Sequence, residues 1–333
     1  MPELTKHSSL KLQTGETGTT LAPWAVPFAF ACVYFCWGST YTAIRIAAPV
    51  LPPLVLTAVR FPISGLLMLG YCRLRGMRLI WSARDMGWLA LIGLLMLALN
   101  NFVLAWSEKS LPSGMAALIV AVVPLYVALL GIFWPGGERL RLQGWLGLLL
   151  GFAGLAALLS PGLRTGMHGD RRQLIAGIVL LLGALPWAIG SLLGRQLRLP
   201  ADPFVAAGWQ MLFAGLINAS LATLRGDWSR AHWTRPAIGA IAYLVTFGSL
   251  VGFTAYVWLL KHVPVPKVAT YAYVNPVVAV ALGAVLLHER LVLTEYVGMV
   301  AVIAAVALVT SSAIRKPPAA RSPEALDAVS IEE

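Results

Sequence analysis

The sequence predicts an all-α integral membrane protein: ten transmembrane helices in two like five-helix halves of opposite orientation. Three observations carry this. The 333-residue chain is 59% hydrophobic and only 12% charged, with a mean hydropathy of +0.78, where a soluble domain carries roughly a quarter charged residues. Apolar stretches, each near the length of about 20 residues that crosses a bilayer, fill most of it. The chain also repeats itself: Trp37 and Trp187, Pro53 and Pro203, and Gly65 and Gly215 are each 150 residues apart. Further on the spacing is 152, for Trp106 and Trp258, Pro112 and Pro264, Pro124 and Pro276, and Gly131 and Gly283. Glu138-Arg139-Leu140 then matches Glu289-Arg290-Leu291 at 151. Copying an odd number of spans turns the second copy upside down. Such inverted repeats are a plan of secondary transporters, which hold their substrate between the halves near mid-membrane.

Taken in order, residues 1–23 are polar and lack the apolar core of a signal peptide, so they read as a cytoplasmic tail. The first half, 24–160, is expected to form helices at Trp24–Ala47, Leu54–Arg73, Asp85–Trp106, Ser113–Trp134 and Gln143–Ser160. A loop at 161–172 joins it to the second half, 173–312, with helices at Gln173–Leu197, Pro203–Leu224, Ala237–Leu260, Val265–His288 and Leu293–Ser312. Residues 313–333, rich in Pro, Ala and charge, read as a disordered cytoplasmic tail.

Of the 25 Lys and Arg, 15 fall in segments that are inside if the N-terminus is cytoplasmic, nine fall outside, and Arg60 lies within a helix. The bias favours both termini inside, in a multi-pass cell (inner) membrane protein. A net charge of +11 spread between apolar stretches serves helix orientation and headgroups, and excludes nucleic acid as the partner. The lipid bilayer and a small-molecule substrate are the partners expected. Cys32, Cys36 and Cys72 lie in or at the end of apolar stretches without metal-site spacing, so no metal and no cofactor is expected. Gly147 with Gly151, Gly190 with Gly194, and Gly248 with Gly252 form GxxxG faces, read as close packing within one chain, a monomer. Seven of the tryptophans sit near helix ends, where the interfacial belt lies; Trp37, Trp106, Trp187, Trp209 and Trp258 lie deeper or at repeat-matched positions.

The run Trp37-Gly38-Ser39-Thr40-Tyr41 with Ile44-Arg45, then Pro53 with Arg60-Phe61, Pro112 to Ala117 leading to Pro124, and the Gly137-Glu138-Arg139-Leu140 turn resemble an EamA repeat. In the second half, Tyr271 to Val280 is similar to the matching stretch of YedA-type exporters. Across residues 24–312 the chain is identified as resembling the EamA family of the drug/metabolite transporter superfamily. The resemblance implies two inverted five-helix EamA repeats around a central cavity, and export of small metabolites. YddG-type relatives export aromatic and other amino acids. Nucleotide-sugar and triose-phosphate carriers belong to the same superfamily, so the cargo does not follow from it.

The best pointer to a transporter site is a pair of interrupted helices at matching places in the two halves. Pro124 and Pro276 are such a pair, because a proline inside a helix removes one backbone donor and allows bending. Before Pro276 stand Tyr271, Tyr273 and Asn275; the matching places before Pro124 hold Ile119, Ala121 and Val123. Tyr271 and Asn275, four apart, share a helix face. One polar, aromatic wall facing an apolar one suits an amphipathic ligand: an uncharged amino acid, a nucleoside or a small aromatic drug. Asn101 and Gln210 join the candidate substrate-binding set because an amide both donates and accepts. Trp37 and Trp187 join as matched aromatics. Asn100, Ser191, Asn218, Thr246, Ser249 and Tyr256 are read first as helix-to-helix hydrogen bonders.

Arg60, whose repeat partner is Gln210, is an intramembrane cation. It either contacts a substrate anion or serves structure by snorkelling or capping carbonyls; its recurrence in the family whatever the cargo favours structure. Every acid and histidine lies at or near a loop, so flux down the substrate's own gradient is expected, with weak proton coupling at most. The Glu138 and Glu289 turns are read as helix caps and loop ion pairs. No HExxH, GxSxG or pair of membrane aspartates is present, so an intramembrane enzyme is the weak rival.

Overall fold

The computed structural model describes residues 22–133, 142–164, 171–197, 199, 201–263, 268, 271–290 and 292–312. Among them every regular element is helical. Nearly all of the expected tails, the turn at Glu138 and half of the loop expected at 161–172 lie outside the described residues. In the first half the helices are α1 (Ala25–Gly38), α2 (Thr40–Ala47), α3 (Pro53–Leu74), α4 (Ala83–Gly93), α5 (Asn100–Ser107), α6 (Ser113–Val120), α7 (Val123–Phe133) and α8 (Leu142–Arg164). The second half holds α9 (Arg171–Gly183), α10 (Leu185–Leu197), α11 (Pro203–Leu224), α12 (Arg235–Tyr243), α13 (Gly252–His262), α14 (Tyr271–Leu286) and α15 (Leu293–Ser312).

Among the described residues six helical stretches are long and apolar enough to cross a membrane: Pro53–Leu74, Ala83–Ser107, Ser113–Phe133, Arg171–Gly194, Pro203–Leu224 and Arg235–Tyr256. Leu142–Leu158, Val274–Leu286 and Leu293–Val309 are shorter apolar helices. The described residues therefore do not give the ten unbroken spans expected. The first expected span divides at Ser39, whose hydroxyl bonds back to the Phe35 carbonyl at 2.6 Å and meets the Tyr243 hydroxyl at 2.7 Å. Such back-bonding bends helices. At the other end of the half, α8 runs on through Pro161 to Arg164, past the expected stop at Ser160. A proline withdraws only its own donor, so the turn after it can still close.

The third and eighth spans each contain a widened π segment, Leu94–Leu99 and Leu244–Val251, at places 150 residues apart. A π turn misaligns local backbone bonds, and side chains from elsewhere use the carbonyls. Asn218 donates to the Ala98 carbonyl at 3.3 Å and the Trp37 indole to that of Gly248 at 3.2 Å. Only internal partners can satisfy such groups in lipid. Periodicity did not foretell these segments.

The halves interlock. Helices α3 and α11, and α8 and α15, pack each against its repeat counterpart, while α6 packs on α14, α1 on α13 and α5 on α9. Reciprocal pairing of this kind is what a two-fold relation between two copies produces. Glycines set the closest crossings. A methyl on Gly65 would lie 2.7 Å from the Leu212 backbone nitrogen, and its twin Gly215 abuts Pro62. Gly147 and Gly151 pack against α15, and Gly248 and Gly252 against Thr40, Arg60 and Trp37, all within the chain. In the third expected pair Gly190 meets Met96, whereas Gly194 has no such neighbour among the described residues.

Glu289 is a cap and an ion-pair partner, but for the opposite half. Its carboxylate accepts from the Ser113 amide at 2.9 Å and the Ser113 hydroxyl at 2.7 Å, at the N-terminus of α6. It also lies 3.8 Å from Arg45 of α2. A carboxylate at a helix N-terminus satisfies orphan donors and meets the positive end of the dipole.

Candidate functional site

Between the halves lies a cavity of about 230 Å³. Trp37, Asn101, Trp187, Gln210, Tyr271 and Asn275, the six residues expected at the substrate site, all line it. So do Arg60, Pro124 and Pro276. The two prolines act differently. The fourth span breaks at Ala121–Val122, between α6 and α7, just before Pro124, whereas α14 continues through Pro276. Pro124 stands at the second position of α7, where its missing donor costs no helical bond, whereas Pro276 lies inside α14.

The polar side is built around Arg60. This residue is 6% exposed, so it does not snorkel. Its Nε donates to the Ser249 hydroxyl at 3.1 Å and its Nη1 to the Asn101 amide oxygen at 3.5 Å. Both partners are side chains of neighbouring spans, so the expected carbonyl-capping role is not what the geometry shows. Among the described residues no carboxylate pairs with Arg60. Its Nη2 reaches within 3.1 Å of where a Gly248 methyl would stand, so a glycine there makes room for the guanidinium. A buried cation without a counter-charge is costly, and such groups are usually paired or ligand-directed.

The aromatic side is a cluster of three rings. Trp37 lies 5.0 Å from Tyr256 and 5.1 Å from Tyr271 between centroids, and Tyr256 lies 5.9 Å from Tyr271. These edge and tilted contacts hold the rings in place at the cavity wall. Tyr256 was read from sequence as a packing residue; no signal within α13 marks it as a wall residue. Among the other deep polar groups, Asn100 donates to the Gly183 carbonyl at 3.1 Å and Asn218 to the Thr57 hydroxyl at 2.9 Å, both between helices, whereas Ser191 donates to Trp187 of its own helix at 2.8 Å.

Residues 24–160 and 174–311 both match the EamA-like transporter family. The chain belongs to that family. It is 36% identical over 283 residues to the uncharacterized inner membrane transporter YedA of Escherichia coli, covering 85% of this chain and 89% of that one. It is 25% identical to the uncharacterized transporter YvbV of Bacillus subtilis over 84% of this chain and 90% of the other. A chloroplastic WAT1-related protein of Arabidopsis thaliana is 26% identical over 91% of this chain and 73% of its own length. A solved protein structure shares the fold with a TM-score of 0.62 and 23% identity, covering 88% of this chain and 98% of its own. The chain is thus a membrane transporter.

Proposed function

We propose that this transporter exports small amphipathic metabolites, foremost neutral and aromatic amino acids, by alternating access. The observation that supports this reading is the cavity, where a guanidinium with no carboxylate partner among the described residues, four amides and an aromatic cluster face one small space. Arg60 takes the substrate carboxylate, Asn101, Gln210 and Asn275 bond its amino end, and Trp37, Trp187 and Tyr271 hold the side chain. A volume of about 230 Å³ falls below the roughly 300–1,000 Å³ usual for drug-sized ligands, which favours a metabolite over a bulky drug. The three-ring cluster also suits a flat base, so a nucleoside is the alternative cargo.

In this reading ten spans form two inverted repeats that rock about the site, with both termini cytoplasmic, in the inner membrane, as a monomer. Among the described residues no carboxylate or imidazole lines the cavity, so binding itself moves no proton and flux is facilitated. Proteoliposomes offered labelled amino acids, nucleosides and cationic dyes, with and without proton and sodium gradients, test it. Saturable flux of neutral amino acids without either gradient is expected. Flux of nucleosides or dyes alone would overturn the cargo, and strict dependence on a proton gradient would overturn the facilitated mode.

A further inference from the structure

Glu108 follows α5 at the face where Glu289 grips α6. It is 0% exposed, and both its carboxylate oxygens are buried without a hydrogen-bond partner. Arg45 does not neutralise it. One guanidinium nitrogen donates to the backbone carbonyl of Glu108, and Nε faces Glu289 at 3.8 Å. An ionised carboxylate in this position loses its hydration and gains no hydrogen bond in exchange, whereas a neutral carboxylic acid is tolerated. Burial pushes the Glu108 carboxyl well above the ordinary carboxylate range; Arg45 opposes the shift and Glu289 adds to it.

The surroundings identify what could compete. Helix α2 presents Arg45 and Tyr41, and Tyr41 also lines the cavity while lying within electrostatic reach of Glu108. From beyond α14 comes Glu289, flanked by His288 and Arg290, both exposed. Helix α6 brings Ser113, already bonded to Glu289. Lys109 beside Glu108, and Arg171 and Arg172 at the start of the packed helix α9, are exposed.

We propose that Glu108 is a proton-binding site that holds this face of the transporter shut. Protonated, it leaves Arg45 to Glu289, and the Arg45–Glu289–Ser113 chain locks the second half onto α6. Deprotonated, it must reach water and draws Arg45 away, which frees α6. The proton comes from water on this face and returns to it. The closed state binds the extra proton, so its advantage is complete below the pKa of a hydrated glutamate, about 4.3. That advantage fades as pH rises toward the raised value and is lost above it. With both termini cytoplasmic this is the outer face, and external acid shuts it. The gating consequence rests on the transporter reading above; the protonation does not.

The test uses the full chain in liposomes. Infrared titration should show a carboxylic acid band whose midpoint lies above that of a hydrated glutamate, about 4.3, and which vanishes in Glu108→Gln. Hydrogen exchange at the Ser113–Ala117 turn, corrected for intrinsic rates, should lose up to about tenfold of its protection per pH unit between about 4.3 and that midpoint. Glu108→Gln should keep the acid-state protection at every pH, and Glu289→Gln should lose it at every pH. A band in the ordinary glutamate range, or a pH response that survives Glu108→Gln, overturns the proposal. Absence of flux for every cargo, with the band and exchange as expected, would instead overturn the proposed cargo and leave the proton site standing.

Discussion

The two halves of this transporter line one cavity with different chemistry at matched positions. The first half supplies Arg60 where the second has Gln210. The second supplies Asn275 where the first has Val123, and Tyr271 where the matched Ile119 is buried away from the cavity. Trp37 and Trp187 are alike. Duplication provides two copies of a helical frame, and divergence at a few wall positions gives the cavity a guanidinium from one half and a further amide from the other. In the proposed function, an amphipathic solute with distinct ends binds there in one orientation.

The largest effect should come from erasing the charge asymmetry. Arg60→Gln makes position 60 match its twin and removes a charge-assisted contact worth about 1.5–3 kcal/mol, or roughly 10- to 150-fold in KM for a carboxylate substrate. The corresponding amide substrate should change far less, and equal losses for acid and amide in proteoliposome uptake would show that Arg60 serves packing. Next comes Asn275→Val, which costs about 0.5–1.5 kcal/mol and a few-fold in KM. The exchange Val123→Asn with Asn275→Val should not restore it, because the polar end would then sit on the wrong wall. Recovery in the exchanged protein would mean that the two walls are interchangeable.

Gly248→Ala tests whether the guanidinium needs its present place. A methyl there would stand 2.8 Å from Thr40 Cγ2 and 3.1 Å from Arg60 Nη2. Displacing one side-chain tip costs about 0.5–1.5 kcal/mol, so KM should rise several-fold with little change in thermal stability. The smallest effect concerns pH. Substrate affinity should stay within about twofold between pH 6 and 8, since unperturbed carboxylates and tyrosines do not titrate there. Maximal rate should fall on acidifying the Glu289 face, because acid favours the neutral, buried form of Glu108. A parallel shift in affinity would place the titrating group in the cavity instead.

The cavity was legible in the sequence through comparison of the halves. Matched prolines pointed to the level of the site, and the mismatch of Tyr271 and Asn275 with Ile119 and Val123 pointed to the wall. Arg60 was recognised as an unusual charge, yet its partners Ser249 and Asn101 come from other spans, and no spacing reveals them. Glu108 was read as a loop acid because it follows the last apolar turn of its span. Its position in the chain is indeed at the end of a helix, but α2, α9 and the Glu289 turn close over it.

By itself the sequence determined that the chain lives in a membrane, that it is built twice over, and which faces of its helices are polar. Those properties follow from hydrophobic transfer and helical periodicity, which act within a segment of about 20 residues. The tertiary structure alone decided that Arg60 has no carboxylate partner among the described residues, that Glu289 caps a helix of the opposite half, and that Glu108 is dry. Charge state and pairing depend on what the rest of the molecule brings within a few ångströms, and that is fixed only when the halves interlock.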